Sequence, residues 1–193
     1  PTTYKLQARL LKHSFFLEEF FSRRHAVRIA SATSHALRTI LELRPQPSVI
    51  AIMVQAEVAD RICAVPGKKR RDSDGEVSLL SMAVQYYGTP HFITKVSRGS
   101  FWPSPKVDSA IITITDIRER PDAEHFFRVL RAGYAHRRKQ LWHNLTQGLS
   151  LPGEVVKESL QRVIGNPQAR AEELAIADWE RLATDLSTVI PQK

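Results

Sequence analysis

Cysteine is nearly absent: Cys63 is the single thiol in 193 residues. It has no second thiol to pair with, and no Cys/His cluster at metal-ligand spacing surrounds it. Within the apolar-periodic stretch EVADRICAV it reads as a small buried hydrophobe. Long apolar runs are missing too. Nowhere do about 18 apolar residues follow one another, which excludes a helical membrane span. The first residues lack the charged, apolar, small-residue order of a secretory signal, so a cytoplasmic location is the expectation. Glycine is missing from the first third of the chain, all eight standing at Gly67 or later, and asparagine is limited to Asn144 and Asn166. There is no internal repeat and no low-complexity segment, and the seven histidines form no metal set.

What is present is a globular composition with a basic excess. A hydrophobic content of 42% over 193 residues can bury a substantial core. Lys and Arg number 28 against 20 Asp and Glu, a net charge of +8, and the excess is uneven. Residues 118–148 carry seven basic side chains against three acidic, whereas residues 154–193 carry five against seven. Clustered cations become favourable when a polyanion neutralises them, so a phosphate-facing surface on one side is one reading. A solvated basic face is the other, and charge alone leaves both open.

Hydrophobic spacing predicts a helix over residues 4–24, a short strand in HAVRIAS, and a second helix from Thr33 or Ser34 to the stop at Pro45 and Pro47. SVIAIMVQ is apolar on successive residues, the pattern of a strand covered on both faces in a parallel α/β sheet. A short helix AEVADRICAV, the polar surface loop KKRRDSDGE at 68–76 and a helix VSLLSMAVQYYG capped by Gly88 follow. HFITKVS and SAIITITDI are β-branched and are expected to pair as antiparallel neighbours at a sheet edge. Beyond Pro121 every segment reads helical. This order argues for an α/β sheet domain over residues 1–120 and a small all-helical domain over 121–193.

Residues 100–114, SFWPSPKVDSAIITI, hold Phe101 and Trp102 beside Pro103 and Pro105 in a rigid turn ahead of a strand. On the residues alone the two rings either anchor the sheet edge against the helical part or form a stacking surface. Lys106 can reach a phosphate, while Asp108 is expected to bond the turn's own backbone. Arg137, Arg138 and Lys139 form the strongest phosphate-binding candidate, three successive cations at a helix start. Glu57 is either a site residue or a first-turn acid. His91 and His136 read as surface or interface residues, and Tyr86 and Tyr87 as core and rim.

Four segments, MVQAEVADRI (53–62), SFWPSPKVDSAIITI (100–114), FFRVLRAGYAHRRKQLWHNL (126–145) and NPQARAEELAIADWERLA (166–183), stand in the order and spacing of the ribosomal RNA adenine dimethyltransferases. The chain resembles that family over about residues 32–190. The most specific part is F-x-P-x-P-K-V-D-S combined with a downstream R-R-K before a helix. The R-A-E-x-L segment resembles the small-subunit branch more than the erythromycin-resistance methylases. The resemblance implies a Rossmann-like methyltransferase sheet, incomplete in this chain, followed by a small all-helical C-terminal domain. It also implies S-adenosylmethionine as cofactor, no metal, and a monomer acting on small-subunit rRNA or a pre-ribosomal particle. The implied reaction is dimethylation at N6 of two adjacent adenines near the rRNA 3′ end. By resemblance, Phe101 is the catalytic aromatic that stacks on the target adenine. Trp102 is a departure, because relatives usually carry a smaller residue there. Lys106, Arg137, Arg138 and Lys139 are the implied RNA contacts, and Lys68, Lys69, Arg70 and Arg71 read as a lengthened RNA-facing loop.

The chain departs from the family in one large respect. The glycine-rich turn after the first strand, the acidic ribose-binding residue and the Asn-(Leu/Ile)-Pro-Tyr motif are all missing, so cofactor-binding residues are not identified. Two accounts are open: a chain lacking the cofactor half, or a longer protein from which these stretches are left out. The second is preferred, because a sheet without its first strands leaves unpaired edges and an open core. Two other functional readings stand beside the enzyme: a non-catalytic RNA-binding ribosome-assembly factor of the same fold, and a large-subunit resistance-type methylase.

Overall fold

The computed structural model describes residues 26–29, 37, 40, 41, 46–66 and 76–189. The helix expected over 4–24, most of the helix expected from Thr33 or Ser34, and Lys68, Lys69, Arg70 and Arg71 lie outside these residues. The chain divides into two compact units, one of residues 1–59 with 88–117 and the other of residues 60–87 with 118–193.

The first unit is built on a four-stranded sheet of β1 (Ala26–Ile29), β2 (Val49–Gln55), β3 (Thr89–Val96) and β4 (Ser109–Thr115), in the order β1-β2-β4-β3. β1 and β2 run parallel, with Ala26 opposite Val49, while β4 is antiparallel to both β2 and β3. The sheet is therefore mixed, and β2 is its hinge between parallel and antiparallel pairing. Its successive residues Ile50, Ala51 and Ile52 are all buried, as expected for a strand covered on both faces. Opposite it, Ala110, Ile112 and Ile114 of β4 are fully buried. Leu37, Ile40 and Leu41 are helical and buried, and the Gln46 side-chain amide donates to the Leu41 carbonyl at 3.0 Å. β3 is an edge strand, as HFITKVS implied, and carries an irregularity between Phe92 and Thr94. Such bulges turn an edge strand away from further pairing.

Gly88 directly follows the helix Leu79–Tyr87, at the capping position expected of it, and the structure adds a second role. Its φ is not positive. A Cβ there would lie 2.7 Å from the Thr115 carbonyl oxygen and 2.9 Å from Ile114 Cγ2, so glycine is required because β4 passes against its backbone. Cys63, expected to be buried, is half-buried just beyond the end of α1 (Ala56–Ile62), at the turn where the helical burial pattern stops.

The second unit is helical, with α2 (Leu79–Tyr87), α3 (Ala123–Gly133), α4 (Leu141–Leu149), α5 (Gly153–Ile164) and α6 (Ile176–Ser187). α3 contacts α2, α4 and α6, and α5 lies against α4 and α6. α2 starts on a reciprocal serine pair: the Ser78 N–H donates to Ser81 Oγ at 2.7 Å and the Ser81 N–H to Ser78 Oγ at 3.4 Å. Tyr86 stacks on Phe126 with centroids 3.8 Å apart, and Tyr87 and Phe127 complete an aromatic cluster. Arg120 closes that cluster, its guanidinium 4.6 Å from the Tyr86 centroid, its Nε donating to the Tyr86 carbonyl at 2.7 Å and its Nη2 3.0 Å from Glu180. α5 ends at Gly165, whose φ of 76° is the left-handed conformation that favours glycine at a helix end.

Gly133, the last residue of α3, is enclosed: a Cβ would come within 2.9 Å of Leu141 Cδ1 and of Trp179 Cζ3, with Trp179 Cη2 closer still. Helix propensity favours alanine over glycine by roughly 1 kcal/mol. Overpacking against the fully buried Trp179 opposes it by about 1–3 kcal/mol. Gly133→Ala is therefore expected to lower the urea midpoint, corresponding to a loss of up to about 2 kcal/mol, where an isolated helix would gain from the same change.

Candidate nucleic-acid interface

The twelve residues 97–108 join β3 to β4 across the end of the sheet, and Arg98 organises them. Its backbone N–H donates to the Asp108 carboxylate at 3.0 Å, and its guanidinium donates to the Lys106 carbonyl at 3.3 Å. Its own carbonyl accepts from Ser104 Oγ at 3.0 Å and from the Phe101 N–H at 3.3 Å. Ser97 starts the 3-10 turn Arg98–Ser100, with its Oγ accepting from the Gly99 N–H. Lys95, at the end of β3, pairs with Asp108 at 3.0 Å. The Asp108 carbonyl accepts from the Ala56 N–H, fixing the loop to the junction of β2 and α1. One residue thus ties the loop to four others, Phe101, Ser104, Lys106 and Asp108, and Asp108 bonds the turn's backbone as its position predicted.

Phe101 follows the 3-10 turn and is half-buried, whereas Trp102 is 86% exposed. Trp102 is therefore not an anchor of the sheet edge. Lys106 is exposed, and among the described residues its ammonium has no hydrogen bond or ion pair. Gln55, Ala56, Glu57, Lys95, Arg98, Lys106, Val107 and Asp108 line a cleft of about 360 Å³ at the carboxyl end of β2. Ligands of open α/β sheets settle outside carboxyl strand ends. Glu57 is exposed at its rim, in the first turn of α1. Lys95 and Arg98 were not singled out by the sequence; their closeness to Lys106 follows from the β3–β4 pairing.

The second cationic group lies in the helical unit. Arg137, Arg138 and Lys139 do not begin a helix: they occupy the exposed turn between α3 and α4, with the Lys139 N–H donating to the His136 carbonyl at 3.1 Å. The turn is held from beneath by Asn144, 1% exposed, whose Nδ2 donates to the Gly133 carbonyl at 2.7 Å and to that of His136 at 3.0 Å. Arg137 forms an ion pair with Glu76, and among the described residues Arg138 and Lys139 are the two cations of the trio without a side-chain partner. No group of three or more His, Cys, Asp or Glu that could hold a metal occurs among the described residues, and no described helix is long and apolar enough to cross a membrane.

The structure is similar to a dimethyladenosine transferase from Plasmodium falciparum, with a TM-score of 0.68 at 19% identity over 86% of this chain and 68% of that one. It is also similar to the 23S rRNA methyltransferase ErmE, with a TM-score of 0.57 at 22% identity over 84% of this chain and 64% of that one. The fold is that of the Rossmann-like methyltransferases. A model of the ribosomal RNA adenine dimethylase family matches residues 3–187, and the chain belongs to that family. Among relatives named ribosomal RNA small subunit methyltransferase A, that of Streptococcus thermophilus is 40% identical over 80% of this chain and 53% of its own length. That of Dehalococcoides mccartyi is 37% identical over 79% of this chain and 51% of its own length. The chain spans about half the length of the curated relatives it matches.

Asp108 supplies a direct check on the loop. Its charged form accepts the Arg98 N–H and is further stabilised by Lys95, which holds its pKa below the ordinary 3.8. The contribution of this contact to loop order is complete above the ordinary carboxylate range and is lost as pH falls through the depressed value. An NMR titration is expected to place the Asp108 midpoint below 3.8, with the Arg98 amide resonance following it. Lys95→Met should raise that midpoint and leave it below 3.8, because the backbone contact is the larger cause.

Proposed function

We propose that this chain serves in S-adenosylmethionine-dependent dimethylation of the N6 amines of two adjacent adenines near the 3′ end of small-subunit rRNA, as an rRNA adenine N6,N6-dimethyltransferase of ribosome assembly. The observation that carries the reading is Phe101, half-exposed on a loop cross-linked by Arg98, in a member of the ribosomal RNA adenine dimethylase family. The names of the relatives point to small-subunit rRNA as the substrate. In this reading residues 1–120 contribute the methyltransferase part and residues 121–193 dock RNA. The protein works as a cytoplasmic monomer without a metal, on naked rRNA or a pre-ribosomal particle.

The chemistry asks little of acid–base groups and much of positioning. The N6 lone pair of adenine is delocalised into the ring, so the base must be lifted from its stack and held in one orientation before it can accept a methyl group. Phe101 provides a face for the lifted ring, and Lys106, Arg138 and Lys139 take phosphates. Lys68, Lys69, Arg70 and Arg71 would add to that grip.

S-adenosylmethionine would supply the methyl group, but the described residues do not fit a cradle for it. β2 passes into α1 directly through Gln55 and Ala56, and no glycine stands between β1 and β2 or within α1. That departure favours a second reading, a non-catalytic RNA-binding assembly factor that keeps the acceptor side of the site. A large-subunit, resistance-type methylase has less support: the likeness to ErmE at 22% identity is one of fold.

Incubation with methyl-labelled S-adenosylmethionine and small-subunit rRNA is expected to yield labelled N6-methylated adenine. Phe101→Ala should lower turnover about tenfold or more, one stacked base being worth roughly 1–3 kcal/mol, while the phosphate contacts keep the variant able to bind RNA. Unchanged turnover would contradict the stacking role. A folded chain that binds RNA, gives no calorimetric heat with S-adenosylmethionine and transfers no label would leave the assembly-factor reading. For the turn, Arg137, Arg138 and Lys139 replaced together by Gln should weaken RNA binding and flatten its salt dependence. With two cations lacking partners among the described residues, the slope of log K against log salt should fall in magnitude by about 1.4 on single-stranded RNA, at roughly 0.7 per phosphate.

A further inference from the structure

We propose that Trp102 is a second base-stacking platform, which takes an unpaired nucleotide adjoining the one on Phe101. The inference rests on the reading that this chain acts on RNA, and adds to it a recognition element that the family resemblance does not supply.

The case begins with exposure. Among the exposed large hydrophobic residues of the described part, Val65, Leu79, Ile93, Val107 and Val189 lie between 37% and 48%, and Trp102 stands apart at 86%. Scattered aliphatic residues on a surface are ordinary, but a whole indole in water forgoes the largest burial any side chain offers. The other two tryptophans are placed quite differently. Trp179 is fully buried and stacks on Tyr134, while Trp142 stacks on His143, donates from Nε1 to Gln140 and sits under Lys157. Among the described residues the Trp102 ring has no stacking partner and its indole N–H no acceptor.

The loop also keeps the ring outward. Trp102 lies between Phe101, whose N–H is tied to Arg98, and Pro103, followed by Ser104, whose hydroxyl is tied to the same Arg98 carbonyl. A ring held outward on a fixed loop loses little freedom on binding. Phe101 is half-buried and Trp102 exposed, so the two rings offer separate faces to separate bases.

The surrounding charge selects the occupant. Arg98 and Lys106 flank the aromatic pair, and the ammonium of Lys106 is unengaged among the described residues. Aromatic faces interleaved with cations are the makeup of surfaces for single-stranded nucleic acid: every base has a π face and every linkage a phosphate. Duplex RNA keeps its bases stacked inside and offers no face to such a ring. An apolar protein partner would have no use for the unengaged cation.

The test compares the wild-type chain with Trp102→Ala and Trp102→Phe in binding to a short purine-rich single-stranded RNA and to a duplex of the same length. Far-UV circular dichroism checks the fold, which an 86% exposed side chain should not perturb. Trp102→Ala should weaken single-strand binding about tenfold or more and abolish the RNA-induced quenching of tryptophan fluorescence. Trp102→Phe should retain most of the affinity, and duplex binding should change less than about twofold. If Trp102→Ala binds the single strand as the wild type does, or if both forms of RNA lose affinity equally, the stacking role is overturned while the RNA reading survives; a protein-facing Trp102 would give the first of these results. If the wild-type chain binds no RNA at all, the reading beneath this inference fails as well.

Discussion

The hydrogen bond from the Arg98 backbone N–H to the Asp108 carboxylate is the constraint on which the proposed site depends. It joins the two ends of a twelve-residue connection that would otherwise sample many conformations, and it does so beside the β3–β4 ladder, which already holds Val96 opposite Ser109. Closing a loop of this length costs entropy that grows only slowly with length, so a few well-placed contacts can hold it. The guanidinium and carbonyl of the same Arg98 supply the others, to Lys106, Ser104 and Phe101. The aromatic pair therefore stands on a frame attached to the sheet, and its position is set before any ligand arrives.

The helical unit solves a comparable problem from the inside. Its cationic turn is exposed, and the group that shapes it is a buried amide, Asn144, bonded to the carbonyls that end α3 and follow it. A buried amide donor satisfying two carbonyls holds a turn more firmly than exposed ion pairs do, since the latter are screened by water and salt. The pair between Arg137 and Glu76 belongs to that weaker kind. The division of labour is clear: the interior fixes the turn, and among the described residues Arg138 and Lys139 have no side-chain partner at its surface.

Much of the architecture was legible in the residues. The continuous apolar run of SVIAIMVQ marked a strand buried on both faces, because only such a position tolerates apolar side chains on both sides of the pleat. The β-branched runs on either side of residues 97–108 marked the antiparallel pair, and the helical periodicity after Pro121 marked α3 to α6. Local readings failed where a neighbour distant in sequence decided the outcome. Gly88 stands at a helix end as expected, but what requires glycine there is the close approach of β4 and not a left-handed φ. The Arg137–Lys139 trio resembled a helix start and lies in the turn ahead of α4, where Asn144 bonds the carbonyls of Gly133 and His136.

The sequence by itself determined the family, the order of the elements, the proline-braced aromatic pair and the sites of the cations, since these depend on residue identity and on spacing along the chain. It also determined what is lacking, for a glycine-rich turn cannot form without glycine. Tertiary structure alone decided which of two adjacent rings remains in water, which cations keep their charge unpaired, and that Lys95 and Arg98 join Lys106 at one cleft. Those outcomes arise from strand pairing and loop closure, which bring residues from different segments within hydrogen-bond distance, and no local pattern of side chains specifies them.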